Sequence, residues 1–359
     1  MTAPGASAGG NTLAATIDRL TRAAGLGEQL DDKRVRCLAC AHRCRIPEGR
    51  RGICEVRYNR EGALQVPYGY VSGLHNDPIE KKPFYHFLPG TNALTFGMLG
   101  CSLHCPYCQN WLTSQALRDQ QAGVPPDEIT AEEIVDTACR AYSKAVVSSY
   151  NEPLITIEWA ADIFKLAKEA GMKTACVSNG HATPEALEYL RPVTDGYKVD
   201  LKSLNDRTYR KLGGVLQHVQ DSIQQAWDLD FWVEVVTLVV PGLNDSEDEL
   251  RAIANFIAGI SPDIPWHVSA FHRDYKYTEA LNTPTEALIR AWDLGRHAGL
   301  NYVYGGNLPG MVPDLENTIC PGCDATLIRR VGYYILDNQI TGDGKCPDCD
   351  KSIPGIWAA

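Results

Sequence analysis

An α/β fold is the class this sequence predicts, and three observations predict it. Between about residues 93 and 304, short apolar runs alternate with stretches of helical periodicity. Several of those stretches open on a capping residue. Others close on a glycine. Repeated βα units imply a parallel sheet with helices packed outside it. Six such units fit a partial barrel or a doubly wound sheet, and periodicity does not choose between them. Either architecture gathers function at the carboxyl ends of the strands.

Taken in order, the apolar runs lie at 93–99, 145–149, 173–178, 197–201, 231–240 and 266–271, with a weaker one at 302–304. Between them stand AEEIVDTACRAYSK, ITIEWAADIFKLAKEAG, TPEALEYLRP, SEDELRAIANFIAGI and TEALIRAWDLGRHAG. Thr130 and Ser246 read as N-caps, and Thr183 precedes Pro184 at a first helical position. Gly171 and Gly299 fit helix ends. Four segments follow. Residues 1–30 are a disordered lead (MTAPGASAGGNT) and a short helix, and 31–92 are a Cys-rich extension with many Arg, Gly and Pro. Residues 93–314 are the α/β core, and 315–359 are a turn-rich C-terminal module.

The chain has 359 residues, 44% of them hydrophobic, and a net charge of −10. That suffices for one large domain with small appendages. An acidic chain without a basic stripe is not built for nucleic acid. No apolar run reaches the roughly 18 residues of a membrane span, and the start lacks the regions of a secretory signal. A cytoplasmic location is therefore expected. There, thiols stay reduced, so thirteen cysteines call for another use.

Eleven of the thirteen fall into three groups. Cys139 and Cys176 stand alone in apolar contexts (TACRAY, KTACVSN) and read as small core residues. Cys101, Cys105 and Cys108, in GCSLHCPYCQNW, form a set one ligand short. Three thiolates hold three irons of a [4Fe–4S] cubane and leave the fourth iron open, whereas electron-storage clusters normally have four protein ligands. The alternative is zinc, with His104 or a distant residue as the fourth ligand. CPGC (320–323) and CPDC (346–349) are two knuckles that can close a tetrahedron around zinc. LIRRVGYYIL between them reads as ribbon strands, and a short ribbon with little other core needs a metal to fold. An auxiliary Fe–S cluster is the rival. The first set is Cys37, Cys40, Cys44 and Cys54, with His42 able to replace one ligand. Its four ligands favour closed, structural zinc, with an auxiliary cluster as the alternative.

Other candidates stand at later strand ends. Asn151 and Glu152 lie in SSYNEP after the second run, where the bland reading is a helix-capping turn. VSNG supplies Ser178 and Asn179 after the third. In KVDLKS, Asp200 and Lys202 are two charges on an otherwise apolar strand, costly to bury unless used or paired with each other. VVPGLND and WHVSAFH close the fifth and sixth, with His272 at the end that would face the site and His267 near the other end. EKKPFYHF (80–87) reads either as substrate-side lining or as a packed lid.

CSLHCPYCQNW after a first strand, with Tyr107 just before the third cysteine, resembles the CxxxCxxC loop of the radical S-adenosylmethionine (SAM) superfamily. SYNEP, VSNG, VDLKS, VVPGLND and SAFH resemble its glycyl-radical-enzyme-activase branch, including pyruvate formate-lyase activating enzymes. CLACAHRCRIPEGRRGICEVR, NDPIEKKPFYHFLPG and LIRRVGYYIL…CPDC…IPGIW resemble, more narrowly, the AmmeMemoRadiSam system radical SAM enzymes. The likeness runs from about residue 35 to the end.

The resemblance implies a partial (β/α)6 TIM-like barrel with a [4Fe–4S] cluster on Cys101, Cys105 and Cys108 and an aromatic shield at Tyr107. It implies SAM contacts at Asn151 and Glu152, in place of a Gly-Glu pair, and at or near Ser178, Asn179, Asp200, Lys202 and His272. One departure stands out. Activases with a monovalent cation beside SAM carry Asp-Thr-Asn-Gly, where this chain has Val177, Ser178, Asn179 and Gly180. Loss of that carboxylate withdraws support for the cation site. The implied reaction takes one electron from flavodoxin or ferredoxin and cleaves SAM to methionine and a 5′-deoxyadenosyl radical, which removes hydrogen from a substrate. The substrate is a protein or peptide, as in activases, or else a small metabolite undergoing radical decarboxylation or rearrangement. A zinc-binding scaffold protein is the distant alternative. Memo-like and AMMECR-like proteins are the partners the family name suggests.

Overall fold

The computed structural model describes residues 12–358. The expected disordered lead, residues 1–11, lies outside them. The helix Leu13–Arg19 follows it, capped by the Thr12 side chain.

The centre of the molecule is one eight-stranded sheet: β1 (Gly73–Pro78), β2 (Asn92–Gly97), β3 (Ala145–Ser148), β4 (Lys173–Ser178), β5 (Gly196–Asp200), β6 (Trp232–Val239), β7 (Trp266–Ala270) and β8 (Val303–Gly306). The strands stand side by side in chain order. Strand β1 is antiparallel to β2, and β2 to β8 are parallel throughout. A doubly wound sheet needs a reversal of strand order. None occurs here, so the choice left open by periodicity falls to the barrel. The edges β1 and β8 do not pair, and the barrel is partial.

Helices α1 (Ala131–Arg140), α2 (Ile157–Glu169), α3 (Pro184–Leu190), α4 (Leu216–Asp228), α5 (Glu247–Ile260) and α6 (Thr285–His297) cover the outside. Their starts follow the sequence signals. Thr130 and Glu133 form a reciprocal capping box, Thr183 caps α3 ahead of Pro184, and Ser246 caps α5. Alternation along each strand divides the residues between two cores. Leu94, Phe96, Val146, Cys176, Tyr197 and Val235 face the helices. Ala93, Ala145, Val147 and Ala175 face inward and are small. Into the room they leave, the segment 79–88 inserts Ile79, Phe84 and Phe87 as a plug. A Cβ on Gly196 would stand 2.9 Å from the Phe87 ring, so this strand position needs glycine. The plug fills part of the interior, and a cavity remains beside it.

Cys176 is fully buried, as expected of a core residue. Cys139 is not: it is exposed at the margin of the buried stripe of α1, about 100° round the helix from Ala138 and just beyond Val135.

Two appendages grip this core. The N-terminal one is held by Arg57, whose guanidinium pairs with Glu158 of α2 through two bonds of 2.7 and 2.8 Å, both side chains 1% exposed. The C-terminal one is a three-stranded sheet (Thr318–Ile319, Thr326–Val331, Tyr334–Asn338). Its last residues clamp the plug: Ile356 donates to the His86 carbonyl and accepts from the Leu88 amide.

Candidate active site

The loop after β2 carries the three-cysteine set. Its course is fixed from both sides. Arg118 donates to the carbonyls of Cys101 (2.7 Å) and Leu103 (2.6 Å), and Gln115 also donates to Leu103. The Lys276 amide donates to Pro106. Tyr107 is buried against Leu103, Leu212, Val240 and Phe271, edge-on to Tyr277.

All three thiols line one cavity of about 590 Å³. Tyr107, Asn151, Glu152, Ser178, Asn179, Asp200 and Lys202 line it too. Strand ends separated by up to a hundred residues thus converge on one space, because parallel strands all present their carboxyl ends on one side. Asn151 accepts from the Met98 amide (2.9 Å), which ties the turn after β3 to β2. Asn179 donates to the Ser102 hydroxyl (3.0 Å) and reaches the Cys101 sulfur (3.7 Å).

Glu152 is 2% exposed. Its carboxylate accepts from Ser178 Oγ (2.7 Å), the Asn179 amide (2.8 Å) and the Leu154 amide (3.1 Å). All three donors are neutral, and Glu152 has no ion pair among the described residues. Burial pushes its carboxyl up to about 7 against those bonds. A buried carboxylate without a countercharge is costly, and it faces the space where a cation would relieve it.

Asp200 and Lys202 do bond each other, at 3.4 Å, and Lys198 closes on the other carboxylate oxygen. Burial opposes ionisation of Asp200, yet the two ammonium groups outweigh it and hold the carboxyl at about 2. Burial likewise disfavours the Lys202 ammonium, and Asp200 and the Cys105 thiol more than offset this. Burial raises the Cys105 thiol to about 11, with Lys202 opposing. Lys202 is therefore the group that favours thiolates here, and metal ligation requires thiolates.

The histidines differ from expectation. His272 is exposed, bonds its neighbour's carbonyl (3.4 Å), and is not among the described residues of the cavity wall. His267 and Ser269 line the wall instead. Period-two alternation on β7 puts residues 267 and 269 on one face. The same rule puts Lys198 beside Asp200 and Lys202. His104 is exposed against Gly213 and lines no part of the cavity.

The block 80–87 divides between the cavity wall and the packed interior. Glu80, Lys81, Lys82 and Tyr85 line the cavity, and Phe84 and Phe87 form the plug. Glu234 of β6 fastens it, accepting from the amides of Tyr85 (3.0 Å) and His86 (2.9 Å), from Trp232 Nε1 (2.9 Å) and from His267 Nε2 (2.6 Å). The tip of the C-terminal hairpin, with Val331, Tyr333 and Tyr334 exposed, forms the rim, which no linear motif announced.

At the C-terminus the four ligand sulfurs of Cys320, Cys323, Cys346 and Cys349 lie within 4.8 Å of one another. Such a set can hold a single ion. No helix among the described residues is long and apolar enough to cross a membrane.

A family model, the radical SAM superfamily, matches residues 96–257. An uncharacterised protein of Methanocaldococcus jannaschii is 40% identical over 332 residues, covering 91% of this chain and 97% of that protein. The pyruvate formate-lyase-activating enzyme of Clostridium pasteurianum is 30% identical over 181 residues, covering 48% of this chain and 71% of that enzyme. Pyruvate formate-lyase 1-activating enzyme of Escherichia coli K12 is 27% identical, covering 47% and 69%. With its three-thiol loop at the head of a parallel partial barrel, this chain belongs to the radical SAM superfamily.

Proposed function

We propose that this cavity holds a [4Fe–4S] cluster on Cys101, Cys105 and Cys108 together with SAM, and that it acts on a protein or peptide substrate. One observation carries the reading. The cavity combines three thiols, no fourth cysteine among the described residues of its wall, and a buried carboxylate lacking a countercharge. The first two fit an iron site left open for a ligand. The third fits an amine-bearing, sulfonium-bearing cofactor.

When bound, cluster and SAM supply a reductive cleavage of SAM to methionine and a 5′-deoxyadenosyl radical that takes a hydrogen atom from substrate. The chain's own residues bind and orient. Glu152 receives the ammonium group of SAM and is itself held ionised by it. Asn179 fixes the Cys101 side of the loop, and Lys202 favours the thiolates of Cys105 and Cys108 while remaining bonded to Asp200. Tyr107 and its apolar neighbours exclude water from the thiols. The proposed electron source is a flavodoxin or ferredoxin.

Two things support a macromolecular substrate. Several relatives are named for activating another enzyme. The exposed Val331, Tyr333 and Tyr334 rim gives a chain segment an apolar surface to rest on. The C-terminal cysteines are proposed to hold zinc, which keeps that rim in place.

Anaerobically reconstituted protein with dithionite and SAM is expected to release 5′-deoxyadenosine. Release no greater than that of Cys105→Ala would sink the proposal. Candidate partner proteins carrying α-deuterated glycine then test the substrate class. Deuterium in the 5′-deoxyadenosine supports a glycyl substrate, and its appearance only with labelled small metabolites assigns the alternative.

A further inference from the structure

The first cysteine set differs in geometry from the last. On a single zinc ion four thiolates stand about 3.8 Å apart, the edge of a tetrahedron with Zn–S near 2.3 Å. The C-terminal set has that form: Cys320 and Cys349 are 3.6 Å apart, Cys323 and Cys346 3.7 Å. Among the described residues it is the sole group of three or more potential ligands gathered within 4.8 Å. Cys37, Cys40, Cys44 and Cys54 are not gathered so tightly, and neither are Cys101, Cys105 and Cys108.

Yet the first four do converge. Cys37, Cys40 and Cys54 are buried and Cys44 is half-buried, and a Cβ on Gly52, two residues before Cys54, would stand 3.6 Å from the Cys44 sulfur. Cys37 belongs to the strand Val35–Cys37, and its amide bonds the Cys44 carbonyl (3.0 Å). Cys40 is fixed by a bridge to Ala182. The Ile53 amide donates to the Cys44 sulfur (3.5 Å). Buried Arg57, three residues after Cys54, anchors this layer to the core through Glu158 and the Ile155 carbonyl. An amide donating to the Cys44 sulfur suits a thiolate. A cubane binds each thiolate at a different corner, so its ligands must stand farther apart than those of one ion.

We propose that Cys37, Cys40, Cys44 and Cys54 hold a second [4Fe–4S] cluster, fully ligated by protein, rather than zinc. Its shell is continuous with the shell of the three-thiol loop. His42 Nε2 bonds the Ser102 carbonyl at 3.0 Å. Arg118 spans the carbonyls of Ile53 and Cys101. Gly100, which precedes Cys101, would place a Cβ 3.0 Å from the Cys54 carbonyl and 2.8 Å from Val56. The two cysteine loops are therefore packed backbone to backbone.

The test is metal and sulfide analysis of the full chain, made anaerobically with iron, sulfide and zinc supplied. A Cys101→Ala/Cys105→Ala/Cys108→Ala variant removes the first proposed cluster by design, so its result does not depend on that proposal. It is expected to keep about four iron and four sulfide per chain, with about one zinc, and to give a reduced-cluster EPR signal with dithionite. Adding Cys44→Ser should remove that iron. Adding Cys320→Ser and Cys323→Ser instead should remove only the zinc. Iron at background with about two zinc in the triple variant overturns the proposal. So does iron that leaves with the C-terminal cysteines. Should the triple variant not fold, Cys44→Ser in the otherwise wild-type chain decides: a loss of about four iron relative to wild type supports the second cluster, and unchanged iron overturns it.

Discussion

Replacing Glu234 by Ala removes the acceptor of four donors from a site with no access to solvent. The carboxylate is 0% exposed and takes the amides of Tyr85 and His86, the Trp232 indole and the His267 imidazole. An orphaned buried donor costs about 1–3 kcal/mol. Taking the lower bound for each gives a loss of about 4 kcal/mol, since water entering the hole recovers part of the rest. Glu234→Gln keeps one accepting oxygen for two of the donors. His267 can meet the new amide N–H by changing tautomer, and one backbone amide is left unpaired. The Gln variant is thus expected to lose about 1–3 kcal/mol. The assay is the urea-unfolding midpoint at constant slope, with hydrogen exchange read at Tyr85 and His86. Those two amides should lose protection first, because they fasten the plug beside the cavity. An Ala variant that loses less than about 1 kcal/mol, or a Gln variant as unstable as Ala, refutes the reasoning.

Three further outcomes are expected. Glu158→Ala leaves the buried Arg57 guanidinium unpaired and should cost about 3–5 kcal/mol, while Arg57→Met with Glu158→Leu should cost much less, both read by urea unfolding. Burial lowers His86 to about 4, so the unfolded chain takes up the proton first. Its contribution is therefore full above about pH 6.5 and falls by about 3 kcal/mol as pH drops toward 4. His86→Gln should shallow the slope of stability against pH between 6.5 and 4.5, and an unchanged slope contradicts the assignment. Cys346→Ser should raise hydrogen exchange across residues 318–357 and leave the barrel strands protected. Equal protection in variant and wild type would mean that no metal holds the ribbon.

The barrel was legible because its signals are local. Thr130, Thr183 and Ser246 cap where the sequence places caps, and the apolar runs mark β2 to β8 within a residue or two. Where distance along a strand was used instead of alternation, the reading failed: His272 stands at the correct end of β7 but turns outward, and His267 turns in. Cys139 failed for the matching reason, since an apolar neighbourhood in sequence does not say which side of α1 a residue occupies. Glu152 was found by its place after a strand, but its lack of a countercharge is a property of its surroundings.

The sequence by itself determined the three cysteine sets, the incompleteness of the middle one, and the order of βα units. Each is a matter of residue type and spacing along a covalent chain. Tertiary structure decided the rest. Strand order chose the partial barrel over the doubly wound sheet. The fold also set which thiols crowd around one point, sent a hairpin tip more than two hundred residues from the cysteine loop to its rim, and left Glu152 among neutral donors. Ligand geometry and charge balance depend on distances through space, and those exist only once the chain has closed on itself.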